Sequence, residues 1–189
     1  MIFGHAATRR ALLSVGALTT LAACGGGTPQ VQSQPARTIM EVLASDDGFS
    51  RFIEVAGRGG IGQTLSGAGP YTVFAFTNSG WGSLPVFARD QLMSGSELTR
   101  TQALVNNLIV DGRHSIASLG GQKREFTTRN GSRLTVDATN AERVSVEASG
   151  GGGQGIGTAT VGLRSARLVR QDIEASNGII HVLSDIIVP

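Results

Sequence analysis

Apolar positions recur at helical spacing in the first half of the chain and at alternate positions through much of the second. Ile39, Val42 and Leu43 fall on one face, and Thr38 with Glu41 three residues on is the signature of a capping box. Phe49, Phe52, Ile53 and Ala56 repeat the spacing behind Asp46 or Asp47 as cap, with Gly57 positioned to end that helix. A Gly-Ala-Gly-Pro turn at 67–70 leads into an uninterrupted apolar run at 71–76, which predicts a strand buried on both faces. Thr77 and Asn78 stop that strand and can cap a short helix carrying Trp81. Ser94 and Glu97 suggest another capping box, opening a helix with Leu98, Leu104, Val105, Leu108 and Ile109 on one side and ending at Asp111 and Gly112.

The second half has strand character. Runs at 123–128 and 132–137 flank Arg129, Asn130 and Gly131, and Asn-Gly is the strongest short hairpin signal. Further short runs stand at 143–147, 158–163 and 167–173, with a glycine-rich stretch at 149–157, before an aliphatic segment at 178–189. Helices followed by strands predict an α+β domain over 38–189 and exclude a doubly wound nucleotide fold.

The first 37 residues follow another pattern. Arg9 and Arg10 precede an apolar run from Ala11 to Ala23. Such a run is too short for a bilayer span, which takes roughly 20 residues, so residues 1–23 read as a signal peptide. Leu21-Ala22-Ala23-Cys24 resembles a bacterial lipobox, with Cys24 becoming the lipid-modified first residue. Thr8, Arg9 and Arg10 also resemble a twin-arginine signal, which leaves the export route open between it and the general secretory pathway. No acidic residue follows Cys24, and residues 24–37 read as a flexible spacer. The expected location is the cell envelope, lipid-anchored to the membrane at Cys24, on the outer membrane or a periplasmic face.

Composition narrows the chemistry. The sequence pI of 9.3 arises from the leader, because after position 23 fourteen basic residues balance fourteen acidic ones. Nucleic-acid binding needs surplus cations to displace counterions, and none remain. The single cysteine excludes a disulfide framework and a cysteine-rich zinc site. Only His114 and His181 remain after the leader, so neither a metal nor another cofactor is expected. Gly153 to Gly157 lacks the spacing and context of a phosphate-binding loop. His181, between Ile180 and Val182, reads as a buried structural histidine, and His114 as a solvated loop residue. Arg124, Arg129 and Arg133 accompany Glu125 and Asp137 on a mixed, solvated hairpin face.

Two separated segments resemble signatures of the fasciclin-type (FAS1, beta-Ig-H3) domain family. The first is Tyr-Thr-Val-Phe-Ala-Phe-Thr-Asn-Ser-Gly-Trp at 71–81, containing Thr72, Val73, Phe74, Thr77 and Asn78. The second runs from residue 175 and contains Asn177, Gly178, His181 and Pro189 in the family's order. The resemblance implies a wedge-shaped domain with a β-sandwich core, N-terminal helices packed against it, and adhesion or matrix binding without catalysis. All nine residues are expected to be structural, with Asn177 and Gly178 making a positive-φ turn. Ile179, Ile180, Val182, Leu183, Ile186 and Ile187 are expected to fill the core. Where many members carry Tyr-His before the glycine closing the central helix, this chain has Asn107 and Leu108. Asp172 and Ile173 stand where an Asp-Ile pair of some animal members is implicated in partner recognition. Strand alternation alone makes them an exposed Asp beside a core Ile.

The expected function is a non-enzymatic envelope module for adhesion or for binding a surface or matrix protein or glycan. A periplasmic ligand-binding protein or hydrolase on the same fold is the alternative, together with a self-associating envelope component.

Overall fold

A computed structural model describes residues 37–149 and 165–187, all within one compact unit. The Cys24 lipobox, the strand expected at 158–163, the glycine run at 150–153 and Pro189 lie outside the described residues.

Helices come first. They are α1 (Ile39–Ala44), α2 (Ser50–Arg58) and α3 (Ile61–Ser66), then, after strand β1 (Tyr71–Phe76), α4 (Asn78–Gly82), α5 (Val86–Met93) and α6 (Leu98–Asn106). Strands follow: β2 (Ile109–Asp111), β3 (Lys123–Thr127), β4 (Arg133–Asp137), β5 (Ser145–Ser149), β6 (Ser165–Ala175) and β7 (Gly178–Leu183). The capping box is made in full, the Thr38 hydroxyl accepting from the Glu41 N–H and the Glu41 carboxylate from the Thr38 N–H. Thr77 caps α4 by accepting from the Gly80 N–H at 3.2 Å.

The strands form one seven-stranded order, β2-β1-β7-β6-β5-β4-β3. Its two leaves share β6, which pairs β5 through its first three residues and β7 through the rest. The outer edges approach each other as well, through a bridge between Val110 and Thr128 and an Arg129 N–H donated to the Ile109 carbonyl at 2.9 Å. The α+β architecture therefore has one continuous core, which includes Leu43 and Phe52 from the helices, Phe76 from β1 and Leu134, Val136 and Val146 from β4 and β5. Phe52 meets Phe76 edge-on at 5.2 Å, and Phe76 stacks on Trp81 at 5.9 Å, which seats α2 and α4 against β1.

Several local expectations are corrected. Gly57 lies inside α2, which runs on to a cap at Gly59. The pattern gave no warning of α3 or α5; α5 exposes Val86 and Phe87 and buries only Ala88 and Leu92, too few for a legible stripe. Ser94 does not cap α6; its hydroxyl donates to the Gln91 carbonyl and closes α5 instead. Leu98 is half exposed. The central helix stops at Asn106, because Ile109–Asp111 leaves it to pair antiparallel with β1 as Tyr71↔Asp111 and Thr72↔Val110. Sheet pairing, invisible in a local window, overrides the helical spacing there.

Candidate functional site

The two signature segments meet. β1 and β7 run parallel, with Tyr71 opposite Gly178, Thr72 opposite Ile179, Val73 opposite Ile180, Phe74 opposite His181 and Phe76 opposite Leu183. Every β7 residue is buried, as are Ile186 and Ile187 beyond it. A parallel pair must be covered on both faces, which explains why neither segment alternates.

Asn177 ties this seam to the helices. Its Oδ1 accepts from the Ile39 N–H at 2.8 Å, taking one of the orphan donors at the start of α1. Its Nδ2 donates to the Leu65 and Gly67 carbonyls, both at 2.7 Å, at the end of α3. Its own carbonyl accepts from the Tyr71 N–H at 3.0 Å as β1 begins. Gly178 corrects the turn expectation, for neither it nor Asn177 has positive φ. The glycine is required by space: a Cβ at 178 would run into the Tyr71 carbonyl oxygen and lie 2.8 Å from Ile39 Cδ1.

His181 is buried against Phe74, ring centres 5.4 Å apart. Its Nδ1 accepts from the Asp172 N–H at 3.2 Å, so Nε2 carries the proton and faces the His114 carbonyl at 3.0 Å. Burial holds the imidazole pKa below its ordinary value, against smaller upward pulls from the His114 carbonyl and the Asp172 carboxylate. With both ring nitrogens occupied by backbone, this histidine is a strut. His114 is not simply solvated: it packs on Phe126 at 4.8 Å, and its N–H donates to the Thr72 hydroxyl at 2.9 Å. That hydroxyl in turn donates to the Gly112 carbonyl at 2.8 Å.

Asp172 departs from strand alternation. It sits in a region of shifted β6–β7 register with φ of 52°, a left-handed conformation uncommon outside glycine. Its carboxylate accepts from the Ile116 N–H at 2.7 Å and the Ala117 N–H at 3.3 Å, holding the loop after β2. Asp172 and Ile173 are thus both half-buried, with Ile173 packed against the core. On the opposite side Asn78 caps α2 from a distance, its Oδ1 accepting from the Arg51 N–H at 3.0 Å and its Nδ2 donating to the Asp47 carbonyl at 2.8 Å. Two cations of the hairpin are ion-paired, Arg133 with Glu125 at 3.4 Å and Lys123 with Asp137 at 3.7 Å. Arg129 lies over the Tyr71 ring, 5.3 Å from its centre.

Sequence reasoning missed Gly69 and Arg113. Gly69 has φ of 59°, and a Cβ there would strike the Asn177 carbonyl oxygen. Arg113 donates to the Ala175 carbonyl at 2.7 Å, bracing the turn that carries Asn177. The positive-φ need of Gly69 had a signal in the Gly-Ala-Gly-Pro turn, whereas nothing local marks Arg113. Among the described residues, no cluster of three or more His, Cys, Asp or Glu side chains is placed to hold a metal ion, and no helix is long and apolar enough to cross a membrane.

Fold and seam together define the class: an α+β module whose signature residues fasten its own strands and helices to one another. The Fasciclin domain family model matches residues 47–189, and the chain belongs to that family. It is 26% identical over 160 residues to Protein sll1483 of Synechocystis, covering 85% of this chain and 78% of that one. It is 32% identical over 164 residues to human Stabilin-1, covering 86% of this chain and only 6% of the relative. Against the pig transforming growth factor-beta-induced protein ig-h3 the figures are 28% identity, 82% of this chain and 20% of that protein. The fold matches a FAS1 domain pair from the insect cell adhesion molecule fasciclin I, with TM-score 0.66 and 17% identity over 82% of this chain and 52% of that one.

Proposed function

We propose that this chain is an exported, non-enzymatic interaction module of a bacterial cell envelope, anchored to the membrane by lipid on Cys24 and binding a surface or matrix protein or glycan. One observation carries the non-catalytic part: both ring nitrogens of His181 are committed to backbone groups. A general base needs a free nitrogen within reach of substrate. Kinship with a domain pair of an insect cell adhesion molecule supports the adhesive part. The spacer at 24–37 gives reach from the bilayer, and exposed loops and strand edges supply the contact surface. A partner contact at Asp172 and Ile173 would compete with the loop N–H groups that hold the carboxylate.

Fractionation of cells making the full chain tests the anchor. The wild type is expected with the membranes and Cys24→Ser in the soluble fraction; equal partitioning refutes the lipid tether. Retention of wild-type cells on envelope or matrix extracts, lost on deleting residues 38–189, tests adhesion. A turnover product in a metabolite screen of the purified chain would overturn the non-catalytic reading.

A further inference from the structure

The imidazole of His181 holds the loop after β2 from both of its nitrogens. Its Nε2–H donates to the His114 carbonyl at 3.0 Å, and its Nδ1 accepts from the Asp172 N–H at 3.2 Å. Asp172 continues the second hold, its carboxylate accepting from the Ile116 N–H at 2.7 Å and the Ala117 N–H at 3.3 Å further along the same loop. β6 bulges there: Arg170 pairs with Val182 and Ile173 with Ile180, so Gln171 and Asp172 together stand opposite His181. The left-handed φ of 52° at Asp172 persists only while its surroundings hold it.

A proton on Nδ1 turns an acceptor into a donor facing the Asp172 N–H, and that hydrogen bond is lost. The new charge then has to be met from nearby. The space beside the ring, lined by Thr72, Phe74, Val110, Phe126 and Val136, leaves no room for water, so hydration cannot offset the charge. β1, β2, β3 and β4 present uncharged side chains there, the loop presents His114, and β6 presents Asp172. Asp172 Oδ1 lies 3.8 Å from Nδ1, the one carboxylate within 4 Å of the ring nitrogens among the described residues. The same oxygen holds the Ile116 N–H. Closing the gap to hydrogen-bond length moves the carboxylate by about 1 Å. Once the Asp172 N–H has lost its acceptor, nothing on that side keeps the backbone in the left-handed turn that aims the carboxylate at the loop.

The geometry points to an acid-operated latch: a proton on His181 draws the Asp172 carboxylate off the Ile116 and Ala117 N–H groups and frees the loop beyond His114. The Nε2–H bond to the His114 carbonyl survives protonation, so the opening begins past that residue and uncovers the part of the interior that Ile116 and Leu119 line. Burial keeps the ring neutral at neutral pH, against weaker pulls from the His114 carbonyl and the Asp172 carboxylate. The latch is therefore closed at pH 7.5 and opens as the pH falls below the ordinary imidazole value of 6.5. It requires neither the lipid anchor nor an adhesive partner.

Amide hydrogen exchange of the full-length chain in detergent tests the latch at pH 7.5 and 5, corrected for intrinsic rates, with and without about 1 M urea. Protection at Ile116 and Ala117 is expected to fall roughly three-fold or more at pH 5, by an opening that urea does not accelerate, since a local opening exposes little surface. His181→Gln, which cannot take up a charge, should show no such loss. Should that variant fail to fold, Asp172→Asn decides. It should exchange faster than wild type at those amides already at pH 7.5 and gain little more at pH 5, because no carboxylate remains to be drawn onto the ring. His114→Gln should keep the acid response, since the His114 carbonyl is unchanged. Equal protection at both pH values, or a loss that urea accelerates as it does in β4, would overturn the latch. So would an acid response undiminished in His181→Gln or Asp172→Asn, or one abolished in His114→Gln.

Discussion

Replacing Asn177 by Ala removes three hydrogen bonds without disturbing the path of the turn. The Ile39 N–H and the Leu65 carbonyl lie in the interior and are left unpartnered. The Gly67 carbonyl is only partly buried, so water can replace the amide there. An unsatisfied buried polar group costs about 1–3 kcal/mol, which puts the loss at about 2–6 kcal/mol. Against a total stability of about 5–15 kcal/mol for a domain of ordinary size, that loss is large. Urea unfolding followed by tryptophan emission should show the midpoint falling with the slope unchanged. Asn177→Asp sharpens the test, since it keeps an acceptor for the Ile39 N–H but turns the donor end into an oxygen facing two carbonyls. At neutral pH it should be at least as destabilised as Asn177→Ala. A loss below about 1 kcal/mol in both variants would refute the claim that this amide fastens the seam.

Three further outcomes follow from the same geometry. Gly178→Ala drives a methyl into the Tyr71 carbonyl and toward Ile39, and should cost at least the roughly 1–3 kcal/mol usual for overpacking; a melting temperature equal to wild type would contradict the close approach. His181 has a folded pKa held below the ordinary imidazole value of 6.5 by burial, so the unfolded state binds more protons and stability should fall as pH drops below about 6.5. Glu41, Asp46 and Asp137 have carboxyl pKa values held below 4.5, 3.8 and 3.8, so their stabilising effects are retained until more acidic conditions, and melts between pH 7.5 and 5 that slope in wild type should flatten in His181→Gln. Asn78→Ala removes the distant cap of α2 and should cost about 0.5–2 kcal/mol, with chemical denaturation as the measure and an unchanged midpoint as the contrary result.

Much of the wild-type architecture is legible because local chemistry and tertiary packing agree there. Thr38 and Glu41 cap α1 as their spacing requires, and the Asn130–Gly131 turn joins β3 to β4 as a hairpin. The apolar runs around Phe74 and His181 announce burial on both faces, and their neighbours in the sheet provide it. Legibility fails where a partner distant in sequence decides. Ile109 looks helical by spacing, yet pairs with Val73 in a strand. Asp172 is a β-strand residue by alternation, yet the bulged register turns its backbone over so that its carboxylate holds Ile116. Arg89 carries no mark in sequence that its Nε is buried without an acceptor.

The amino-acid order by itself determined the α+β class, the capped start of α1 at Thr38, and the two segments that build the interior, because caps, turns and apolar periods act over a few residues. Tertiary structure alone decided what those segments' polar residues do. The Asn177 amide reaches Ile39 and Leu65 across 138 and 112 positions, and the need for glycine at 178 comes from a carbonyl on another strand. A hydrogen bond or a steric limit between such distant positions exists only once the chain has closed around it.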